Sequence, residues 1–381
     1  MSFPFKEFIS KAKEENRSQE FIEATISYAD KLDKNNFPVI FSVEHLAMLM
    51  GIQSSYFRHL IGEPKKHHYQ DEPHKIFRYN YFKLKKKREG YREIMSPSKD
   101  LKFIQKWILV NILEKKNLQN SCKGFRKGIS IKDNAMPHEN SDLILKIDLL
   151  KFYDTITENR VFGVFADMGY RKNLAVSLAK ITTAPHRFQY WKNIPKAELD
   201  IMGYKHNNFP SILPQGAPTS PMLANIVASK LDLRFEKLSE KMGFNYTRYA
   251  DDLTFSIKGN QRLPNLKLIR KIISDENFFI NETKVKYLRK GGKQYVTGLT
   301  TANGINVSKK YRQEIDSHIY YCRKYGVKGH LSWIGEENEK SQRVLPFHDW
   351  LYGHICFIKS INPKAAEKLL KDFSRIDWLF D

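Results

Sequence analysis

The sequence predicts an α+β fold in which an antiparallel sheet is accompanied by helices, and three segments carry that expectation. In the first, Phe244, Tyr246 and Tyr249 lead into Ala250-Asp251, and Leu253, Phe255 and Ile257 follow Asp252; strand formers on both sides of a two-residue turn make a β-hairpin. In the second, Leu143, Leu145, Ile147 and Leu149 alternate onto one strand face, with Ile144, Lys146 and Asp148 on the other. The third, from Leu213 through Gln215, Gly216 and Pro218 to Pro221, is a rigid turn that opens a helix. Leu223, Val227, Leu231, Phe235 and Leu238 form one stripe of that helix, and Gly243 marks its stop.

The acidic residues in these segments are hard to explain as structure. Asp251 and Asp252 are adjacent like charges, each raising the other's pKa unless a cation lies close. A solvated turn is the bland explanation for an isolated Asp-Asp. Here Asp148 ends a largely apolar strand, where an unpaired carboxylate is costly. If that strand lies beside the hairpin, Asp148 and Asp251 can clamp two Mg²⁺ ions about 3.5–4 Å apart, one activating a 3′-hydroxyl and one neutralising a triphosphate.

Asp148 followed by Phe152-Tyr153, then Leu-Pro-Gln-Gly with Ser-Pro, then Tyr-Ala-Asp-Asp resembles motifs A, B and C of a reverse transcriptase palm. The resemblance implies a right-hand polymerase with fingers, palm and helical thumb. It implies Asp148, Asp251 and Asp252 as catalytic metal ligands, with Tyr153 under the incoming sugar and Gln215 and Gly216 at the dNTP. Arg92-Glu93-Ile94 with Pro97, Leu101-Lys102 and Ile104-Gln105 resembles the fingers, which makes Arg92 a triphosphate contact. Lys86, Lys87 and Arg88 are candidates for a second phosphate contact or a solvated basic run. Asn281 to Lys284 resembles motif D, whose lysine protonates the pyrophosphate; Lys284 also reads as an ordinary surface lysine.

Asn134-Ala135-Met136-Pro137-His138 resembles the Asn-Ala-x-x-His signature of retron reverse transcriptases, and Val296-Thr297-Gly298 their Val-Thr-Gly signature. Gly124-Phe125, Gly128 and Ser130-Ile131 fit the glycine-containing segment that precedes the first. Asn134 and His138 are read either as RNA contacts or as a turn cap and a satisfied core imidazole. The resemblance covers roughly residues 40 to 375. It implies that the protein copies part of a cognate noncoding RNA into single-stranded DNA, primed from a guanosine 2′-hydroxyl so that RNA and DNA remain joined. It also implies an effector protein in anti-phage defence. The signatures argue against a group II intron-like or diversity-generating enzyme, and Tyr153 against an RNA-synthesising polymerase. The intact acidic residues argue against a non-catalytic RNA-binding scaffold.

Composition agrees with a polyanionic partner: Lys and Arg number 64 against 42 acidic residues, a net charge of +22. No apolar run reaches the ~18 residues of a membrane span and no signal peptide is evident, so no membrane association and a cytoplasmic location are expected. Cys122, Cys322 and Cys356 lack metal-site spacing and read as reduced buried thiols. The stretch from His74 to Arg88 interleaves aromatic and basic residues, which suits base stacking and phosphate contact.

The expected order is an N-terminal helical segment at 1–70, fingers at 71–140, palm at 141–300 and thumb at 301–381. Ser42 reads as N-cap of a short helix ended by Gly51, with a second helix from Ser54 to Leu60. Asp154-Thr155 with Glu158 reads as the cap of the helix after motif A. His186 to Pro210 reads as a polar loop that touches RNA or a partner, and Gly304 to Val307 as part of a second hairpin. A basic helix from Tyr311 to Tyr325 resembles retron thumbs that bind an RNA stem, with Arg312 and Arg323 for phosphates, Tyr320 for stacking, and some of its tyrosines in the core. Gly335 to Gln342 reads as a solvated interruption. About 80 residues follow the palm, too few for a thumb and an RNase H domain, so template removal is expected to fall to a host RNase H.

Overall fold

The computed structural model describes residues 3–62, 79–85, 90–204, 208–334 and 344–378. Lys86, Lys87, Arg88, the residues from His74 to Arg78 and the interruption from Gly335 to Gln342 lie outside the described residues. The chain forms two compact units, each assembled from several segments. Unit 1 is Met1–Arg126, Asp148–Phe235 and Asn265–Asn281, and unit 2 is Lys127–Ile147, Glu236–Pro264 and Glu282–Asp381.

Unit 1 opens with helices. The Ser42 hydroxyl accepts from His45 N at the start of the Val43–Leu49 helix. His45 itself reaches back, its Nδ1 accepting from Phe41 N at 3.3 Å and its ring stacking on Phe41, one residue before the Ser42 N–H that Glu or Gln meets in a full capping box. Strands β1 (Tyr79–Lys85) and β2 (Tyr91–Pro97) pair antiparallel, with Leu84 opposite Arg92. The Lys99–Asn111 helix follows under a Ser98 cap. The Nε2 of its buried Gln105 donates to Tyr79 Oη and to Ile181 O, both at 2.9 Å, which ties this helix to β1 and to the Lys172–Thr182 helix.

Unit 2 holds a four-stranded sheet in the order β4-β5-β3-β6. Its strands are β3 (Leu143–Asp148), β4 (Asn245–Tyr249), β5 (Asp252–Ile257) and β6 (Lys286–Arg289). The unit boundary falls at the end of β3, between Ile147 and Asp148. A small hairpin, β7 (Tyr295–Val296) and β8 (Leu299–Thr300), comes next. The Lys309–Ile334 helical segment, broken at Gly326 with φ 76° and ψ 158°, and the Val344–Ile361 and Pro363–Phe373 helices close the unit. Ile144 of β3 shares one core with Val296, Leu299, Ile315, Ile319 and Leu351, so both faces of β3 carry buried apolar residues.

Three expectations change. The helix after Pro221 is two helices, Ser220–Val227 and Ser229–Met242, because Ala228 has ψ −1° where a continuing helix holds about −42°. The segment from His186 to Pro210 is not an open loop: it folds into the Phe188–Lys192 and Lys196–Ile201 helices around Trp191. Asp154 is not a helix cap, since Thr157 is the N-cap residue of the Glu158–Asp167 helix and makes no side-chain cap bond. The three cysteines are free thiols, and Cys356 is only half-buried. No described helix is long and apolar enough to cross a membrane.

Candidate active site

Strands β4 and β5 pair through Tyr249 and Asp252, leaving Ala250-Asp251 as the two-residue turn. Ala250 sits at φ 56°, the left-handed region that costs a non-glycine residue on the order of 1 kcal/mol or more. The buried Arg248 holds it there by donating from Nη1 to Ala250 O at 3.1 Å. Strain of this kind clusters at functional sites. It presents Asp251 at the tip, half-buried, with Asp252 following as the first residue of β5.

Lys146 is a site residue that sequence reasoning passed over. Its Nζ donates to Asp252 Oδ2 at 2.7 Å and lies 5.2 Å from the centre of the Tyr295 ring. It thus supplies a positive charge beside the acidic pair. Its signal was present in the strand, since Lys146 shares the alternating face of Asp148 two residues on. Asp148 ends β3 and is half-buried; Asn281 N donates to its backbone oxygen at 2.8 Å, and Asn281 Nδ2 to its Oδ1 at 3.5 Å. Asn281 is thus tied to Asp148 chiefly through the backbone.

The nucleotide candidates other than Lys284 lie in unit 1. Met95 N of β2 donates to Gln215 O at 2.7 Å. Gly216 has φ 122°, and a Cβ there would lie 2.8 Å from Met95 O and 2.9 Å from Ile94 Cγ2. Glycine is thus required both by the backbone and by the close approach of β2. Arg92 is exposed on β2, Tyr153 is half-buried against Phe152, and Lys284 is exposed in a short 3-10 turn, Glu282–Lys284.

The two short signatures meet inside unit 2. Thr297-Gly298 is the turn of the β7–β8 hairpin, with φ 46° and 85°, both positive as a type I′ turn requires. A β-branched residue there is an outlier. Thr297 Oγ1 is held by donating to Ile131 O at 3.3 Å and accepting from Asn134 Nδ2 at 3.4 Å. His138 bonds through Nδ1 to Ser256 Oγ at 2.7 Å and through Nε2 to Thr247 Oγ1 at 2.8 Å, so it cross-links β4 and β5. Burial holds its imidazole down to about 3, neutral, with one nitrogen donating and the other accepting. Asn134 and His138 are 1% and 0% exposed. The reading of both as RNA contacts is therefore corrected: their side chains are buried and brace the hairpins.

On the Lys309–Ile334 helix, Tyr320, Tyr321 and Tyr325 are all exposed while Ile315 and Ile319 are buried, so none of the three tyrosines enters the core. Lys324 lies over both Tyr320 and Tyr325. Arg323 donates from Nη1 to Asp372 Oδ1 at 2.9 Å, an ion pair that ties this helix to the last one. Arg312 is half-buried and lines a groove with Asp316 and Lys368.

Asp148, Asp251 and Asp252 offer hard carboxylate oxygens, the chemistry that suits a divalent cation such as Mg²⁺. Among the described residues no three His, Cys, Asp or Glu side chains converge as a ready metal cage. Mg²⁺ takes one or two carboxylates and completes its shell with water and substrate phosphates, so the donor set fits.

The reverse transcriptase (RNA-dependent DNA polymerase) family profile matches residues 84–317. The chain is 29% identical over 343 residues to the retron Mx65 reverse transcriptase of Myxococcus xanthus, covering 90% of this chain and 73% of that protein. It is 35% identical over 279 residues to the retron Ec86 reverse transcriptase of Escherichia coli, covering 71% and 79%. The telomerase of Candida albicans, solved with a fragment of telomeric RNA, aligns with TM-score 0.35 and 13% identity over 78% of this chain and 59% of that one, less than two thirds of the telomerase chain. The chain belongs to the reverse transcriptase family, and within it to the retron reverse transcriptases. It is an RNA-directed DNA polymerase with the α+β fold of right-hand polymerases.

Proposed function

We propose that the protein copies part of a cognate structured RNA into single-stranded DNA by two-metal nucleotidyl transfer. The observation that carries this reading is the strained hairpin tip, where Ala250 at φ 56° delivers Asp251 and Lys146 pairs with Asp252. Asp148 and Asp251 would hold the ions, and Asp252, already paired with Lys146, shapes the charge beside them. Divalent ions bound there supply the charge that activates a 3′- or 2′-hydroxyl and offsets the triphosphate. Asn281 holds Asp148 chiefly through its backbone oxygen. The Gln215 turn, fixed on β2 by Met95, offers backbone and side chain to the dNTP. The Tyr153 ring closes the space a ribose 2′-hydroxyl needs. Arg92, exposed, reaches for the triphosphate, and Lys284 for the pyrophosphate leaving group.

The RNA partner follows from the family and the +22 charge. Priming from an RNA 2′-hydroxyl, an RNA–DNA product, an effector protein, anti-phage defence and template removal by a host RNase H extend the reading from the retron relatives. The test is to sequence the nucleic acid that co-purifies with the protein, then add dNTPs and Mg²⁺. The expected result is one dominant structured RNA that is extended into DNA joined to it. Retention of RNA without deoxynucleotide incorporation would mean a binding scaffold.

A further inference from the structure

The excursion from Ala184 to Ile212 is closed at its base. Ala184 N donates to Ile212 O, and Ile212 N to Ala184 O, both at 2.9 Å. The same turn is stitched to the residues after motif A: Glu158 N donates to Ser211 O at 2.9 Å and Leu213 N to Ile156 O at 3.1 Å. Inside, Trp191 stacks on Phe209 at 4.8 Å and meets Tyr204 edge-on at 5.5 Å. Tyr190 stacks on His186 at 3.7 Å. Rings packed this way have their rotamers fixed by neighbours.

Both hydroxyls of these fixed tyrosines converge on one residue. Tyr190 Oη donates to Asp154 Oδ2 at 2.5 Å, and Tyr204 Oη to Asp154 O at 2.5 Å. Asp154 is 2% exposed and follows Tyr153 directly. A buried carboxylate is costly unless hydrogen-bonded, so these bonds fix where this residue can sit. A cavity of about 10 Å³ is lined in part by Glu93, Asp154 and Gln215. Two of these are chain neighbours of the nucleotide candidates Arg92 and Tyr153, and the third is itself one. The clamp therefore lies beside Gln215 and next in the chain to Tyr153, within unit 1.

We propose that Tyr190 and Tyr204 are positioning residues for nucleotide selection: by fixing the side chain and the carbonyl of Asp154 they set the placement of Tyr153, and with it the preference for deoxyribonucleotides over ribonucleotides. The inference rests on the reading of Tyr153 as the residue under the incoming sugar. The two bonds on the residue that follows restrain the backbone from which the Tyr153 ring projects, and small misplacements of a positioning group have large kinetic effects. A pair that served only the fold would change melting temperature and leave selection alone.

The test is single-nucleotide incorporation of dNTP and rNTP on an annealed primer, with the full chain, alongside thermal melting. The variants are Tyr190→Phe, Tyr204→Phe, Tyr153→Ala and Tyr153→Ala combined with Tyr204→Phe, with the exposed Lys196→Ala as control. Each Phe variant is expected to raise the dNTP KM roughly tenfold, the worth of one hydrogen bond, and to lower the deoxy-to-ribo ratio. Its kcat should stay within about twofold. Tyr153→Ala should lower the ratio further, and adding Tyr204→Phe to it should change nothing more, because the two act through one ring. Should Tyr190→Phe fail to fold, Tyr204→Phe carries the test, since it removes a bond to a neutral carbonyl only. An unchanged KM and ratio in the Phe variants, with a lowered ratio in Tyr153→Ala, overturns the clamp and leaves the sugar reading standing. An unchanged ratio in Tyr153→Ala overturns both.

Discussion

Gly216 shows how far a single residue is fixed by its surroundings. Its φ of 122° and the 2.8 Å approach of Met95 O leave no room for a methyl group. Gly216→Ala should cost about 1–3 kcal/mol through overpacking and backbone strain and raise the KM for dNTP, because β2 must back away from the Gln215 turn; thermal melting and steady-state incorporation check both. A fully active, equally stable variant would mean that the approach of β2 to the turn is dispensable. At this scale the sequence was informative where a residue type was out of place: Asp148 in an apolar strand and Asp251-Asp252 in a turn announce a cation. Lys146 stood in the same strand but drew no role, because a lysine on a strand is unremarkable until its cross-strand partner is known. Asp154 reads as a cap in the sequence for a related reason. Its partners, Tyr190 and Tyr204, come from a segment 36 and 50 residues away, and long-range partners leave no local pattern.

At the scale of elements, the β4–β5 and β7–β8 hairpins are braced by two residues whose sequence reads equally as RNA contacts or as structure. His138 links β4 to β5 through Thr247 and Ser256, and Asn134 holds the Thr297 turn. Burial puts the His138 pKa at about 3, below the ordinary 6.5. The stability it contributes is complete above about pH 6.5 and is lost as pH falls through the window towards 3, because the unfolded chain takes up the proton first. At pH 5 the loss is about 2 kcal/mol relative to pH 7.5 or above. His186 and His330, also lowered by burial, act in the same direction, so the contribution of His138 is read by difference. His138→Asn should be less stable at pH 7.5 yet lose less stability between pH 7.5 and 5 than the wild type in urea titrations. Equal losses would mean that His138 is not the titrating brace. The signatures were legible as motifs, but their mutual contact was not, since Asn134 and Thr297 are 163 residues apart.

For the whole molecule, the net charge of +22 gives salt-sensitive affinity for any polyanion, while preference for one RNA needs shaped contacts and stacking. The helical C-terminal region was legible from its apolar periodicity. The division of labour among its basic residues was not, because only the packed helices reveal that Arg323 faces Asp372. Arg312→Ala and Tyr320→Ala should weaken binding of the cognate RNA without lowering the melting temperature. Arg323→Ala should lower stability by up to about 1 kcal/mol, as expected for a partly exposed ion pair; binding titrations at fixed salt beside thermal melts separate the two effects. If instead Arg323→Ala selectively weakens RNA binding, the Asp372 pair gives way to phosphate in the complex. The central claim is that Asp148 and Asp251 are metal ligands of a DNA polymerase and not RNA contacts. The most direct test is primer extension and RNA affinity measured side by side on Asp148→Asn and Asp251→Asn. The account predicts extension below about a tenth of wild type with RNA affinity nearly unchanged; extension above that level, or a parallel loss of RNA binding, would contradict it.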